Sequence, residues 1–240
     1  NDDVRQLLPP GRALALLAQA GIGRALASAT PGDAVEYLYR QAPERVVPFL
    51  RPYPSRAHRY FWHRDPAVPA WVREQLPRIP YRGIGEFHVT GADAGSGVVR
   101  EIIGIARAGG LALMAHTDPA GIRTILERAP DIDVIWAHAG FDVPLQELQQ
   151  LLDEHGRLYL ELSFREGMLH AGRLTAAWYS FLVDNASRCL AGSDTYSPGR
   201  WAGLVELVSQ TRQWLAQLPV EVAAAIAGGN ATRLFGEGGA

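Results

Sequence analysis

Three short apolar runs each end in a side chain able to bind a metal ion: LALMAHTD delivers His116, VIWAHAG delivers His138 and RCLAGSDTY delivers Asp194. Neutral imidazole nitrogens and carboxylate oxygens are the ligands that zinc and similar divalent ions take, and a catalytic centre keeps one coordination position for water. An ion held that way lowers the pKa of its water to roughly 7 and so makes a nucleophile available at neutral pH. The pattern predicts His116 as a ligand, Asp194 as a ligand and general base, and His138 as either a second ligand or an acid that polarises the substrate. Each histidine alone has a plainer reading as a hydrogen-bonded strand-end residue; the three together favour a site.

Other polar residues gather at equivalent places. Thr30, Arg51, Glu86 with His88, Asp118 beside His116, Glu161 with Ser163 and Arg165, and Tyr196 beside Asp194 all fall where apolar runs end. Glu86 is expected as a bridging or outer carboxylate of the metal site, or as the partner of a mouth arginine. His88 is expected to touch substrate. Arg51 and Arg165 either clamp a carboxylate or phosphate with their planar forks or neutralise Glu86 and Glu161. Tyr196 is a further substrate contact, while His58 and His63 are expected on the surface. Such groups are costly to desolvate unless they pair or bind an ion, so their convergence points to function.

The elements that must position them alternate along the whole chain. Strands are expected around Ala25, in RVVPFL up to Arg51, and in YRGIGEFHV, LALMAHTD, DVIWAHAG, RLYLELSF and RCLAGSDTY. Helices are expected over Arg12–Gln19, Asp33–Gln41 with Asp33 as N-cap, Val68–Gln75, Val98–Ala108, Gly121–Arg128, Leu145–His155, Leu174–Asn185 and Trp201–Gln217. Apolar strands separated by amphipathic helices imply a parallel sheet covered on both faces. In an open doubly wound sheet the polar residues would collect at one or two switch-point strands; here nearly every strand ends polar, as in a barrel whose strands all open on one mouth. RPYPSRAHRYFWHRDP, rich in Pro, Arg and aromatics, interrupts the alternation and suits an excursion over that mouth.

Composition narrows the chemistry. The chain has 240 residues and a formal net charge of -2, and all 23 of its basic residues are arginine. Without lysine there is no Schiff-base aldolase, no pyridoxal phosphate enzyme, no phosphate-loop lysine and no carboxylated lysine bridging two metals. The mild charge and the separation of aromatics from basic clusters argue against nucleic acid as a partner. No run approaches the roughly 18 apolar residues of a membrane span, and nothing at the start reads as a signal peptide. The single cysteine, Cys189, fits a reducing, cytoplasmic setting as a small buried hydrophobe. The expected partner is a small-molecule substrate, with carboxylates among the candidates, and a homodimer is the base-rate expectation.

Taken together, GIGEFHV, LALMAHTD, VIWAHAGF, LELSFR, LAGSDTY and GGNATRLFG resemble the amidohydrolase superfamily, in its amidohydrolase-related branch of TIM-barrel metal-dependent hydrolases. The resemblance implies an α/β (β/α)8 barrel in a single domain over 1–240. It matches the family's strand-five histidine to His116, its strand-six histidine to His138, its strand-eight aspartate to Asp194 and its strand-four position, often a lysine, to Glu86. The family's strand-one His-x-His pair is absent, so a barrel with its first strand missing from this chain is expected. The implied activity is hydrolysis of an amide, ester or lactone by metal-activated water, with zinc the first choice of ion. A mononuclear decarboxylase of unsaturated or aromatic acids is the second reading, and a barrel that has lost its metal site the third.

Overall fold

In the computed structural model, residues 8–236 are described; both ends of the expected 1–240 domain lie outside them. Seven strands form one parallel sheet. They are β1 (Ala25–Ala27), β2 (Val46–Leu50), β3 (Gly83–His88), β4 (Ala112–His116), β5 (Val134–Trp136), β6 (Leu158–Glu161) and, after a short hairpin of β7 (Leu169–His170) and β8 (Arg173–Leu174), β9 (Cys189–Leu190). The order β1-β2-β3-β4-β5-β6-β9 follows the chain, and every pairing is parallel. The sheet curls into a barrel that lacks one strand: among the described residues β1 and β9 stand at its two edges and do not pair with each other. A cavity of about 560 Å³ opens between them, lined by Ala25–Ser28 on one side and Leu190–Asp194 on the other.

Helices α1 (Pro10–Gln19), α2 (Asp33–Gln41), α3 (Val68–Gln75), α4 (Gly97–Ala108), α5 (Pro119–Arg128), α6 (Leu145–Glu154) and α7 (Ala176–Asp184) alternate with the strands. The period-two rule sorts the strand side chains. On β2, Val46 and Leu50 join the outer core between sheet and helices, whereas Val47 and Phe49 point into the barrel with Ala112, Ile135, Tyr159, Leu190 and Phe235. Both faces are therefore apolar and buried, which is why these strands read as continuous hydrophobic runs. Phe235 belongs to a C-terminal segment, α10 (Val220–Ala224) and α11 (Asn230–Phe235) joined by a π-helical turn, and packs edge-on against Phe49 with ring centroids 5.5 Å apart.

Several expected boundaries move. The expected helix over Trp201–Gln217 is α8 (Pro198–Ala202) and α9 (Leu204–Leu215), parted at Gly203. The hairpin takes Leu174, so α7 starts at Ala176 behind Thr175, whose hydroxyl accepts from the Trp178 amide. Asp33 lies in the first turn of α2 and Gly32 is the cap. Asp118, a mouth residue by position, caps α5 by accepting from the amide of Gly121, and also accepts from that of Gly91. In the excursion His63 is buried beside Asp93, 3.4 Å away, in place of the expected surface position. Trp62, also buried there, packs on Phe87 and donates to the His88 carbonyl at 2.7 Å, tying the excursion to the end of β3.

Cys189 is wholly buried, and burial pushes its thiol up to about 12. Since the thiolate is the reactive form, the folded protein is expected to release no colour from Ellman's reagent at pH 8, and one equivalent per chain on denaturation. Rapid labelling of the native protein would place Cys189 outside the core.

Candidate metal centre

The centre is built around one buried carboxylate. Between β3 and β4 the register runs Gly85↔Met114 and then Phe87↔Ala115, so Glu86 is the extra residue of a β-bulge. The bulge needs Gly85: its φ is +140° and a Cβ there would sit 2.3 Å from the Met114 carbonyl oxygen. Beyond the bulge His88 pairs with His116, which sets the two imidazoles side by side with ring centroids 4.2 Å apart.

Glu86 Oε1 is 2.9 Å from His116 Nδ1, 3.7 Å from His138 Nε2 and 3.9 Å from His88 Nε2. Its Oε2 accepts from Arg51 at 3.1 Å, and Arg51 Nε donates in turn to Ser28 Oγ. Burial alone would raise the Glu86 pKa, but the facing imidazoles of His116 and His138 and the Arg51 charge outweigh it and hold the carboxyl well below its usual range. Burial drives His88 down to about 3, leaving its imidazole neutral, the form that binds a metal. Tyr53 fixes that ring: its hydroxyl lies 3.0 Å from His88 Nδ1 and leaves Nε2 toward Glu86. Ligand atoms of Glu86, His88 and His116 all lie within 4.8 Å of one another. One carboxylate and two imidazoles, one of them held neutral, form a donor set that fits zinc or a similar ion.

His138 and Asp194 sit beside this group on turns. Strand β5 stops at Trp136 and β9 at Leu190, so His138 (φ +59°) and Asp194 (φ +37°) are placed by left-handed backbone beyond the strands. His138 has its amide on Glu161 Oε2 at 3.0 Å, and its Nδ1 lies 3.0 Å from both the carbonyl and the hydroxyl of Ser163. Burial opposes charge on His138, yet Glu161 and Glu86 overcome it and raise the imidazole to about 10. Asp194 Oδ2 lies 4.0 Å from His138 Nε2, and its pKa is raised by burial and by the charge of Glu86. Gly192 makes room for Glu161: a Cβ there would fall 1.8 Å from Glu161 Oε1.

The expected ligand set was His116, Asp194 and Glu86. In the structure the ligand atoms that come within 4.8 Å of one another belong to Glu86, His116 and His88, the last expected at the substrate, while Asp194 stands next to His138. Arg51 shows the neutralising contact. Arg165 is directed elsewhere: β6 ends at Glu161, and past Ser163, which still reaches His138, the chain turns away. Its guanidinium donates to the Val143 carbonyl and stacks 5.0 Å from the Trp178 ring. Tyr196 lines the cavity and is exposed. Glu161, one of the polar strand ends, is the partner of His138 and not of an arginine; Ser28 and Tyr53 carry no signal in the sequence.

Two phenylalanines complete the rim. Phe141 (φ +63°) lies 4.5 Å from the His138 ring and 5.2 Å from that of His116, and Phe164 (φ +54°) lies 5.6 Å from His138. Left-handed backbone costs an ordinary residue about 1–2 kcal/mol, and Phe has no short polar side chain to offset it.

A family model described as amidohydrolase matches residues 6–236. The chain belongs to the amidohydrolase family. Among solved structures this amidohydrolase chain is similar to an uncharacterized TIM-barrel protein from Bordetella bronchiseptica, at 16% identity and a TM-score of 0.71, over 100% of this chain and 86% of that one. It is similar to a zinc-bound amidohydrolase from Burkholderia multivorans at 17% identity and TM-score 0.62, over 94% and 87% of the two chains. A probable 2-pyrone-4,6-dicarboxylic acid hydrolase from Acinetobacter baumannii, with citric acid bound, aligns at 13% identity and TM-score 0.65, over 95% and 88%. At these identities the likeness shows the fold, a TIM barrel. No curated protein matches the chain.

Because the His138 pKa is raised from 6.5 to about 10 on folding, its protonation contributes stability that is complete below pH 6.5 and lost as the pH rises to 10. Chelator-treated protein is expected to melt at progressively lower temperature across that window, and His138→Gln to flatten the slope. A wild-type slope equal to the variant's would show that His138 is not the group titrating.

Proposed function

We propose that the chain is a metal-dependent hydrolase of an amide, ester or lactone bond. The observation that carries this reading is the convergence of Glu86, His88 and His116 within 4.8 Å, with His138 and Asp194 alongside. Glu86, His88 and His116 would hold a divalent ion, which would supply Lewis acidity and a water of pKa roughly 7. Zinc suits the mixed nitrogen and oxygen donors, and the Burkholderia relative was solved with zinc bound.

The chain's own groups divide the remaining work. Asp194, whose pKa burial raises, is the base that takes a proton from the attacking water at its carboxylate oxygen. His138, kept cationic by Glu161 and Glu86, faces the same space and hydrogen-bonds the carbonyl oxygen as negative charge develops on it. Arg51 holds Glu86 ionised and in place. Hydrolysis is preferred to decarboxylation because Arg51, the arginine beside Glu86, is engaged by Glu86 and Ser28 and not held open for a substrate carboxylate.

Zinc content and turnover of an ester and lactone panel test the reading together. Glu86→Gln is expected to lower zinc retention by about tenfold or more. Asp194→Asn is expected to slow hydrolysis by about 10²–10⁴-fold. Wild-type protein that retains no divalent ion, or an Asp194→Asn variant with unchanged turnover, would overturn it, and carbon dioxide release from an arylcarboxylate would move the assignment to the second reaction.

A further inference from the structure

The aromatic rim does more than cover the histidines. Phe164 is 41% exposed and Tyr196 56%, with their rings 6.2 Å apart, so apolar surface is left open where the polar centre meets solvent. Phe164 cannot fold back onto the protein. The Arg200 guanidinium lies 3.9 Å from its ring centroid, and Arg200 is itself anchored by donating to the carbonyls of Ser193 at 2.6 Å and Asp194 at 2.8 Å. One ring face is thus occupied, the ring also meets His138, and 41% of the residue remains open to solvent. Phe141 adds a second ring, tilted 38° to the imidazole of His138, whereas Phe164 meets that imidazole at 81°.

Both phenylalanines hold left-handed backbone, which glycine or asparagine would adopt at less cost, and Phe164 still leaves 41% of its surface exposed. Strain kept at an open apolar position beside reacting groups is explained by a ligand that uses it. We propose that Phe141 and Phe164 are specificity-determining residues that select substrates whose reacting carbonyl is attached to a flat, conjugated ring. Such a ring stacks on Phe164 or Tyr196 and meets Phe141 edge to face while its carbonyl reaches His138; a puckered saturated ring touches the same surfaces with fewer atoms. The inference rests on the reading of this centre as a site for carbonyl substrates.

Acetophenone and cyclohexyl methyl ketone test it. Both present a carbonyl on a six-membered ring, and neither can be hydrolysed, so binding is read apart from turnover. Titration of the zinc-loaded protein, followed by ligand-observed NMR, is expected to give about fivefold tighter binding of acetophenone. Phe164→Leu, at an exposed position, is expected to bring the ratio close to one, with melting temperature and zinc content showing that fold and centre survive; Phe141→Leu should shift it the same way. Equal affinities in the wild type, a ratio unchanged in Phe164→Leu, or no binding of either ketone overturns the proposal. Failure of the hydrolase reading shows separately, as missing zinc or missing ester turnover.

Discussion

A single buried carboxylate organises the mouth of this barrel. Glu86 is taken out of water by the bulge in β3 and must be compensated where it lies, because an unpaired charge there would cost several kcal/mol. Arg51 satisfies one oxygen and His116 the other, with His88 and His138 within 4 Å. Each contact is delivered by a different strand end, so the register of β2, β3 and β4 and the turn after β5 are constrained by the same group. The closeness of one anion to three imidazoles also explains their divergence. His88, with burial opposing its charge and only Glu86 to offset it, stays neutral, while His138, flanked by a second carboxylate, stays charged.

Much of this was legible in the residues. Period two and period 3.6 alternate clearly enough to place seven strands and most helices, and the polar strand ends distinguished a barrel from an open sheet. Glu86 and His116 could be assigned to one centre because both fall in the C-terminal halves of clear strand runs, GIGEFH and ALMAH. His88 shows the limit of that reasoning: only the register of β3 against β4 reveals that it stands beside His116, and register is a property of two strands, not of one run.

What failed to show did so for a physical reason. Side-chain alternation holds only while the strand lasts, and β5, β6 and β9 end before their polar residues do. Arg165 lies four residues after Glu161 and so shares its face on paper, but the turn that follows β6 sends it to Trp178. His138 and Asp194 kept their place at the centre by a different route, through turns with left-handed backbone that no periodicity encodes. The excursion between β2 and α3 misled in the opposite sense: its irregular composition hid buried residues, Tyr53, Trp62 and His63 among them, behind charged neighbours.

The mouth is consequently divided by backbone type. Ser28, Arg51, Glu86, His88 and His116 come from the ends of β1 to β4, where neighbouring strands fix one another. His138, Phe141, Phe164, Asp194 and Tyr196 come from turns after β5, β6 and β9, each shaped largely by its own dihedral angles. The first half can change only in concert, since moving one member disturbs the hydrogen bonding of the next strand. The second half can exchange a side chain and leave its frame standing, so the mouth can change its shape without rebuilding the carboxylate and imidazole cluster beneath it.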